Sequence, residues 1–369
     1  MKIAMIGQKG IPSRAGGIEI HVEELAKRLV KHGCEVVVYC RKAYCNSLEK
    51  EYHGISIKYT PYFKSKHLDA ITHAFFSTMH AFFTSCDVFH YHALGPSVMA
   101  ILPKILGKKV VCTVHGLDWQ RGKWNRIASN FLKFGEYITA KHTNATINVS
   151  KNLVSYYEKK YGRLTHYIPN GIEKPVNMLP PDIIKRKYNL DRNNYLLFLA
   201  RLVPEKGAHY LIEAFKGIQT NVKLVIAGSS SHSSKYENEL HNMTRDEDRI
   251  IFTGFVEGNE LSELYSNAFI YILPSDIEGL PISLLEAMSY GNCCLVSDIS
   301  ENSDVIENMG YTFRKADVVD LREKIYQLLS MNEQIEKIKQ HVQSFVLSKY
   351  NWDDTTVKTL EVYKSLCSK

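Results

Sequence analysis

The sequence predicts an α/β protein built from two doubly wound domains that face each other across a cleft. Three observations lead there. Short, continuous apolar strands alternate with helical stretches in both halves of the 369-residue chain, and such strands belong to parallel sheets covered on both faces. A segment rich in Pro, Gly and Asn, "IPNGIEKPVNMLPPD" at 168–182, lies between the halves, which is linker chemistry. The length suffices for two domains of ordinary size, assigned as 1–168 and 169–349.

In chain order, "KIAMIG" is a buried strand that runs into "GQKGIPSRAGGIE". Repeated glycines between a strand and a helix let backbone approach a ligand closely. The glycines are Gly7, Gly10, Gly16 and Gly17, and a flexible turn is the plainer reading. "IEIHVEELAKRLVKHG" is an amphipathic helix, with Ile18, Val22, Leu25 and Leu29 at helical spacing and Gly33 as its stop. "CEVVVYC", "GISIKY", "DVFHYH", "KVVCTVH" and "ATINVS" are the following strands. "ITHAFFSTMHAFF", from Ile71, reads as a buried helix, too short for the roughly 20 residues of a membrane span. His90 and His92 flank Tyr91 with no carboxylate or cysteine nearby in sequence, which favours a cleft or core role over a metal. His115 ends its strand before Gly116 and points into the cleft, where imidazole could bond a substrate hydroxyl; a lone histidine is commonly structural. Asp118, Arg121, Lys123, Trp124 and Arg126 come next, and the cations interleave with Ile127, Phe131, Leu132 and Phe134. Lys64, Lys66 and His67 extend the same basic patch. This pattern suits a helix lying on a membrane surface, and it suits equally an ordinary surface helix.

The second half repeats the rhythm with "YLLFLARL", "VKLVIAG", "RIIFTGFV", "AFIYILPS" and "CCLVS". Arg201 ends the first of these strands and Lys206 opens the helix after it. A guanidinium fork and an ammonium point charge on one such loop fit a diphosphate; a solvated loop with Glu205 paired to Lys206 is the alternative. In "EGLPISLLEAMSYG", Pro281 suits a first helical turn and Leu280 offers no side-chain cap. The N–H groups of Ile282 and Ser283 then form an anion site. Glu278 stands beside that site and Glu286 lies about two turns in, where carboxylates accept hydrogen bonds from sugar or ribose hydroxyls. The plainer reading has Glu278 complementing the helix dipole and Glu286 solvated. A last helix starts in "YNWDDTT", with Tyr350 and Trp352 as anchors.

The chain is 45% apolar and 23% charged, an ordinary globular composition. Cys34, Cys40, Cys86, Cys112, Cys293 and Cys294 lie in apolar runs, where thiols pack as small hydrophobes, and no spacing suggests zinc or a disulfide. With no leader ahead of "MKIAMIG", the expected location is cytoplasmic. Residues 1–170 carry 24 Lys+Arg against 11 Asp+Glu, and the remainder 22 against 28. A basic half invites an anionic partner: nucleic acid, a membrane surface or a phosphorylated substrate.

Taken together, "PSDIEGLPISLLEAMSYG", "ARLVPEKG", "GGIEIHVEELAKRLVKHG", "TVHG", "IPNGI" and the Trp-containing last helix resemble, in this order, the family 4 glycosyltransferases. These are retaining enzymes of GT-B fold, with two Rossmann-like domains. The resemblance implies a donor diphosphate held by Arg201 and Lys206, with Glu286 on the ribose and Glu278 and His115 on the donor sugar. The backbone of Gly279, Leu280, Pro281 and Ile282 would meet the diphosphate or the sugar. Phe255 and Val256 would frame the base, Gly16 and Gly17 would approach the diphosphate, and helix 350–369 would cross back to the first domain. Ala200 stands where a Gly is common and Cys293 where a Pro is usual. "GQKGIPSRAGGIE" and "HGLDWQR" resemble bacterial rhamnosyltransferases of surface polysaccharides. That implies dTDP-rhamnose as donor, a lipid-diphosphate-linked saccharide as acceptor and a peripheral position on the anionic inner leaflet, with no nucleic acid, cofactor or metal. Two other classes compete: an NAD-dependent dehydrogenase, which lacks GxGxxG here, and a non-catalytic polyanion- or membrane-binding module, which leaves the acid pair without a task.

Overall fold

The computed structural model describes residues 1–368 apart from 14–15, 46–47, 66–67, 123 and 231–233. The chain forms two units, one of Met1–Gly171 with Asn351–Lys369 and the other of Ile172–Tyr350. Both are α/β layers around a parallel sheet.

In the first unit the order is β1 (Lys2–Ile6), α1 (Gly17–Lys31), β2 (Glu35–Cys40), β3 (Glu51–Tyr52), β4 (Ile55–Tyr59), α2 (Asp69–Phe83), β5 (Val88–His92), α3 (Ile101–Ile105), β6 (Lys109–Val114), α4 (Arg126–Lys141), β7 (Ala145–Asn148), α5 (Lys151–Tyr161) and β8 (His166–Tyr167). The strands lie in the order β3-β4-β2-β1-β5-β6-β7-β8, all parallel except β3, which runs antiparallel to β4. Alternation along β1 sends Ile3 and Met5 into one core with Val22, Leu25 and Leu29 of α1. Ala4 and Ile6 enter another with Ala74 and Ala81 of α2.

The second unit runs α6 (Ile183–Tyr188), β9 (Tyr195–Leu199), α7 (Ala208–Lys216), β10 (Lys223–Ala227), α8 (Ser234–Met243), β11 (Ile250–Gly254), α9 (Gly258–Asn267), β12 (Ile270–Leu273), α10 (Ile282–Ser289), β13 (Cys294–Ser297), α11 (Ser300–Ile306), β14 (Gly310–Phe313), α12 (Val318–Leu328) and α13 (Asn332–Lys349). Its six strands are ordered β11-β10-β9-β12-β13-β14 and all run parallel. Leu196, Phe198, Leu211, Phe215, Leu224, Ile272 and Leu295 form its core.

The last helix, α14 (Trp352–Cys367), returns to the first unit. Asn351 caps it by accepting from the Asp353 N–H at 2.7 Å. Trp352 is buried, and its backbone sits where a Cβ on Gly171 would have to go, so only glycine fits the linker there. Leu360 and Tyr363 join the core beneath α1.

The stretch from Ile71 is helical, as its pattern predicts, but it is not a buried helix. Its inward residues are small or polar: His73, Ala74, Ser77, Thr78 and Ala81. Thr78 Oγ1 bonds Tyr91 Oη at 2.7 Å and Ser77 Oγ bonds Thr60 Oγ1 at 2.8 Å. Phe75, Met79 and Phe83 face solvent instead. Among the described residues no helix is long and apolar enough to cross a membrane. The six cysteines in apolar runs are all buried, and all eight are free thiols.

Each sheet reverses its strand order at one place, β1 between β2 and β5 in the first unit and β9 between β10 and β12 in the second. The carboxyl ends of strands at such a switch point are where ligands bind in open α/β sheets.

Candidate functional site

In the second unit the loops after β9 and β12 meet at the switch point. Arg201 follows β9, and a short turn at Pro204–Lys206 leads into Gly207, whose φ is +71°. A Cβ there would collide with the Pro274 carbonyl, so a glycine is required for the two loops to close on each other. The Asp276 N–H donates to the Glu205 carbonyl at 2.9 Å, and Tyr210 Oη donates to Asp276 at 3.2 Å. Across this junction Lys206 Nζ donates to Glu278 Oε1 at 2.5 Å, and Ser275 Oγ donates to the same oxygen at 2.7 Å. Lys206 and Glu278 are both largely sequestered, with side-chain exposures of 14% and 7%. Lys206 thus has Glu278, a residue of the other loop, as a carboxylate partner.

Helix α10 begins at Ile282 with Pro281 in extended conformation and no side-chain cap. The N–H groups of Ile282 and Ser283 have no intrahelical carbonyl and carry the positive end of the helix dipole, whereas the Leu284 N–H already donates to the Pro281 carbonyl at 3.1 Å. Glu286 stands one turn further on, where its Oε2 accepts from Tyr265 Oη on α9 at 3.2 Å. It is therefore anchored rather than simply solvated. Tyr271 is buried close to both acids. Its hydroxyl donates to the Leu199 carbonyl at 3.1 Å and lies 3.0 Å from Ser283 Oγ. Burial chiefly holds its phenol neutral, and Glu278 and Glu286 both push in the same direction. Both carboxylates are thus within electrostatic reach of one buried ring at the head of α10. Gly279 is part-exposed, Leu280 and Pro281 are buried beside it, and Phe255, 53% exposed, follows β11 with Val256 buried next to it.

In the first unit, His115 is not a lone histidine. His21 of α1, His90 and His92 of β5 and His115 after β6 form one cluster. His92 Nδ1 and His115 Nε2 are 3.3 Å apart, and the His21 ring packs edge-on against His115. Asn170 Oδ1 lies 2.8 Å from His21 Nδ1, so that nitrogen carries the hydrogen and Nε2 the lone pair. His90 is bound on both sides, by Tyr363 Oη at 2.6 Å and Thr113 Oγ1 at 2.7 Å. Burial lowers His21 to about 4 and His90 to about 3, and drives His92 and His115 well below the ordinary range. All four are neutral at pH 7 and act as hydrogen-bonding groups. His21, His92 and His115 each offer a ring nitrogen within 4.8 Å of the others, the one such group among the described residues that could hold a metal ion.

The glycine loop is held by α1. The Lys9 N–H donates to Glu19 at 2.9 Å and the Ser13 N–H to Glu23 at 3.3 Å. Gly16 is extended rather than left-handed; what it needs is space, because a Cβ would strike the Glu19 carboxylate. Gly17 opens the helix. Further along, Asp118 pairs with Arg121 at 3.0 Å, Trp124 is part-exposed, and Arg126 is exposed at the start of α4. Lys123, Lys66 and His67 lie outside the described residues. Tyr265, Tyr271, Ser275, Asn170 and His21 escaped the sequence reading. Tyr265 lies 21 residues before its partner Glu286, and no local pattern joins two residues that meet only through packing.

Two family models match the chain, "Glycosyltransferase Family 4" over residues 15–174 and "Glycosyl transferases group 1" over 181–345. An uncharacterized glycosyltransferase of Methanocaldococcus jannaschii is 28% identical over 99% of this chain and 98% of its own. An Escherichia coli UDP-Gal:alpha-D-GlcNAc-diphosphoundecaprenol alpha-1,3-galactosyltransferase is 27% identical over 60% of each chain. Among solved structures, sucrose-phosphate synthase of Thermosynechococcus elongatus superposes with a TM-score of 0.87 at 18% identity, covering 100% of this chain and 99% of that one. Anabaena HepE, in complex with UDP and glucose, gives 0.81 at 19% identity over 99% and 100%. The fold is GT-B, and the chain belongs to the family 4 glycosyltransferases. The dehydrogenase and non-catalytic readings are thereby set aside.

Proposed function

We propose that the protein moves a hexosyl unit from a nucleoside diphosphate sugar to a lipid-diphosphate-linked saccharide, with retention at the anomeric carbon. The observation that carries this reading is the constellation at the second unit's switch point: Lys206, Glu278 and Ser275 joined at the head of an uncapped helix, with Arg201 on the same loop. Breaking the glycosyl–phosphate bond leaves negative charge on the diphosphate and positive charge on the sugar ring. Arg201, Lys206 and the α10 amides meet the first, so no divalent metal is required. Glu286 accepts from ribose hydroxyls and Glu278 from the sugar. The leaving phosphate oxygen takes the proton of the acceptor hydroxyl as that hydroxyl attacks from the same face. The neutral His115 imidazole is suited to bond a sugar hydroxyl without adding charge. Arg121 and Arg126 belong to the acceptor side.

For the donor, the N-terminal motifs favour rhamnose from dTDP-rhamnose. A UDP-hexose is the second reading, supported by the UDP-Gal-using relative and by the UDP and glucose bound to the structural neighbour. The test is donor turnover with dTDP-rhamnose, UDP-glucose and UDP-galactose on a diphosphate-lipid acceptor. Arg201→Ala and Lys206→Ala should each lower turnover by about two to three orders of magnitude, the scale of lost transition-state charge stabilisation; Lys206→Ala should also lower the melting temperature, because it leaves the sequestered Glu278 without its cation. Near-native turnover in both would remove the leaving-group role.

A further inference from the structure

We propose that the α2–α3 face of the first unit docks on an anionic lipid bilayer. Helix α2 is inverted relative to a water-facing helix, which puts apolar residues inward and polar ones outward. Its polar and small residues are spent on the sheet, while Phe75, Met79 and Phe83, spaced four apart, are 41%, 38% and 84% exposed. Leu68 precedes them at 50%, and Ile105 and Leu106 at the end of α3, which packs beside α2, are 76% and 66% exposed. A contiguous run of large apolar groups on a folded surface marks an interaction site.

The charge around the ridge selects the occupant. The described residues of 52–117 include five lysines and two acids, Asp69 and Asp87. Asp69 is held by Arg41 at 2.7 Å and Tyr44 at 2.8 Å, and Asp87 accepts the Lys2 N–H at 2.7 Å. Lys58 lies within electrostatic reach of His80 on α2, and Lys108 within reach of Cys86 just past its end. Pairing with a second copy about a two-fold axis would set these lysines against their own equivalents. An anionic headgroup layer over an acyl interior takes both the ridge and its cationic border. The inference gives the lipid-linked acceptor reading a membrane contact and rests on that reading for its purpose.

The experiment is co-sedimentation of the full chain with phosphatidylcholine vesicles, with and without phosphatidylglycerol, at low and high salt. Binding is expected to need phosphatidylglycerol and to weaken with salt. The pair Phe83→Gln and Ile105→Gln should reduce it at least about tenfold, without a change in melting temperature or in transfer to a short-chain, detergent-free acceptor. Ile127→Gln with Phe134→Gln, on α4, should bind as the native chain does. Indifference to phosphatidylglycerol, native-like binding by the α2–α3 variant, loss confined to the α4 variant, or a dimer in light scattering that the α2–α3 variant splits would each overturn the proposal. Absence of transfer with every donor, alongside intact vesicle binding, would sink the proposed function and leave the docking surface standing.

Discussion

Glu278 and Glu286 show how one residue type takes two environments a few positions apart. Glu278 is paired with Lys206 and held by Ser275; under the proposed function an arriving diphosphate would compete for the ammonium and free a carboxylate oxygen for a hydroxyl. Glu286 instead takes a phenol, Tyr265, that is itself buried and held neutral by that burial. Tyr265→Phe deletes the hydroxyl and leaves the ring packed. The expected result is a rise in donor KM of roughly tenfold, the scale of one hydrogen bond to a charged group, with kcat little changed. A fall in kcat at constant KM would contradict a positioning role. The acids, the two cations and His115 were legible as candidates because strand ends and helix starts mark where side chains can reach a ligand. Their supporting tyrosines were not, because their proximity is a product of packing rather than of sequence spacing.

Element by element, the strands and most helices follow from apolar runs and caps: Asn125 accepts from the Ala128 N–H, Ser150 from Leu153 and Asp317 from Asp320. The error at α2 has a physical cause. Hydropathy counts apolar residues and does not say which side of a helix meets the sheet, and here close approach selected Ala, Ser and Thr for the inside. The β9–α7 turn depends on Gly207. Gly207→Ala should cost about 1–3 kcal/mol of backbone strain and more from the clash with Pro274. It should lower the melting temperature by several degrees and weaken turnover by loosening Lys206 from Glu278. Gly122→Ala, with open space around it, should stay within about 0.5 kcal/mol of the native chain. Equal melting temperatures for the two variants would show that the turn tolerates a side chain.

For the whole molecule, buried histidines divide the units. His21, His73 and His90 of the first unit have pKa values lowered to about 4, about 4 and about 3, chiefly by burial. A folded value below the unfolded 6.5 means that the unfolded chain binds more protons, so stability is complete above pH 6.5 and is lost as pH falls toward 4. By pH 5 the loss is on the order of 2 kcal/mol per histidine. All three tryptophans, Trp119, Trp124 and Trp352, lie in the first unit, so their fluorescence reports on it alone. Denaturant midpoints followed by tryptophan emission should fall between pH 7 and pH 5. Constant midpoints over that range would refute the linkage.

The return of α14 also fixes an order of assembly. Residues 172–350 form an uninterrupted unit that can close as soon as it clears the ribosome. The other unit begins first yet stays open beneath α1, with no Leu360 or Tyr363 to fill it and no phenol for His90, until the final turns have been synthesised. The half made first is therefore the half finished last, and a chain cut short near Tyr350 would keep the second unit's sheet complete and leave the first unit permanently unsealed.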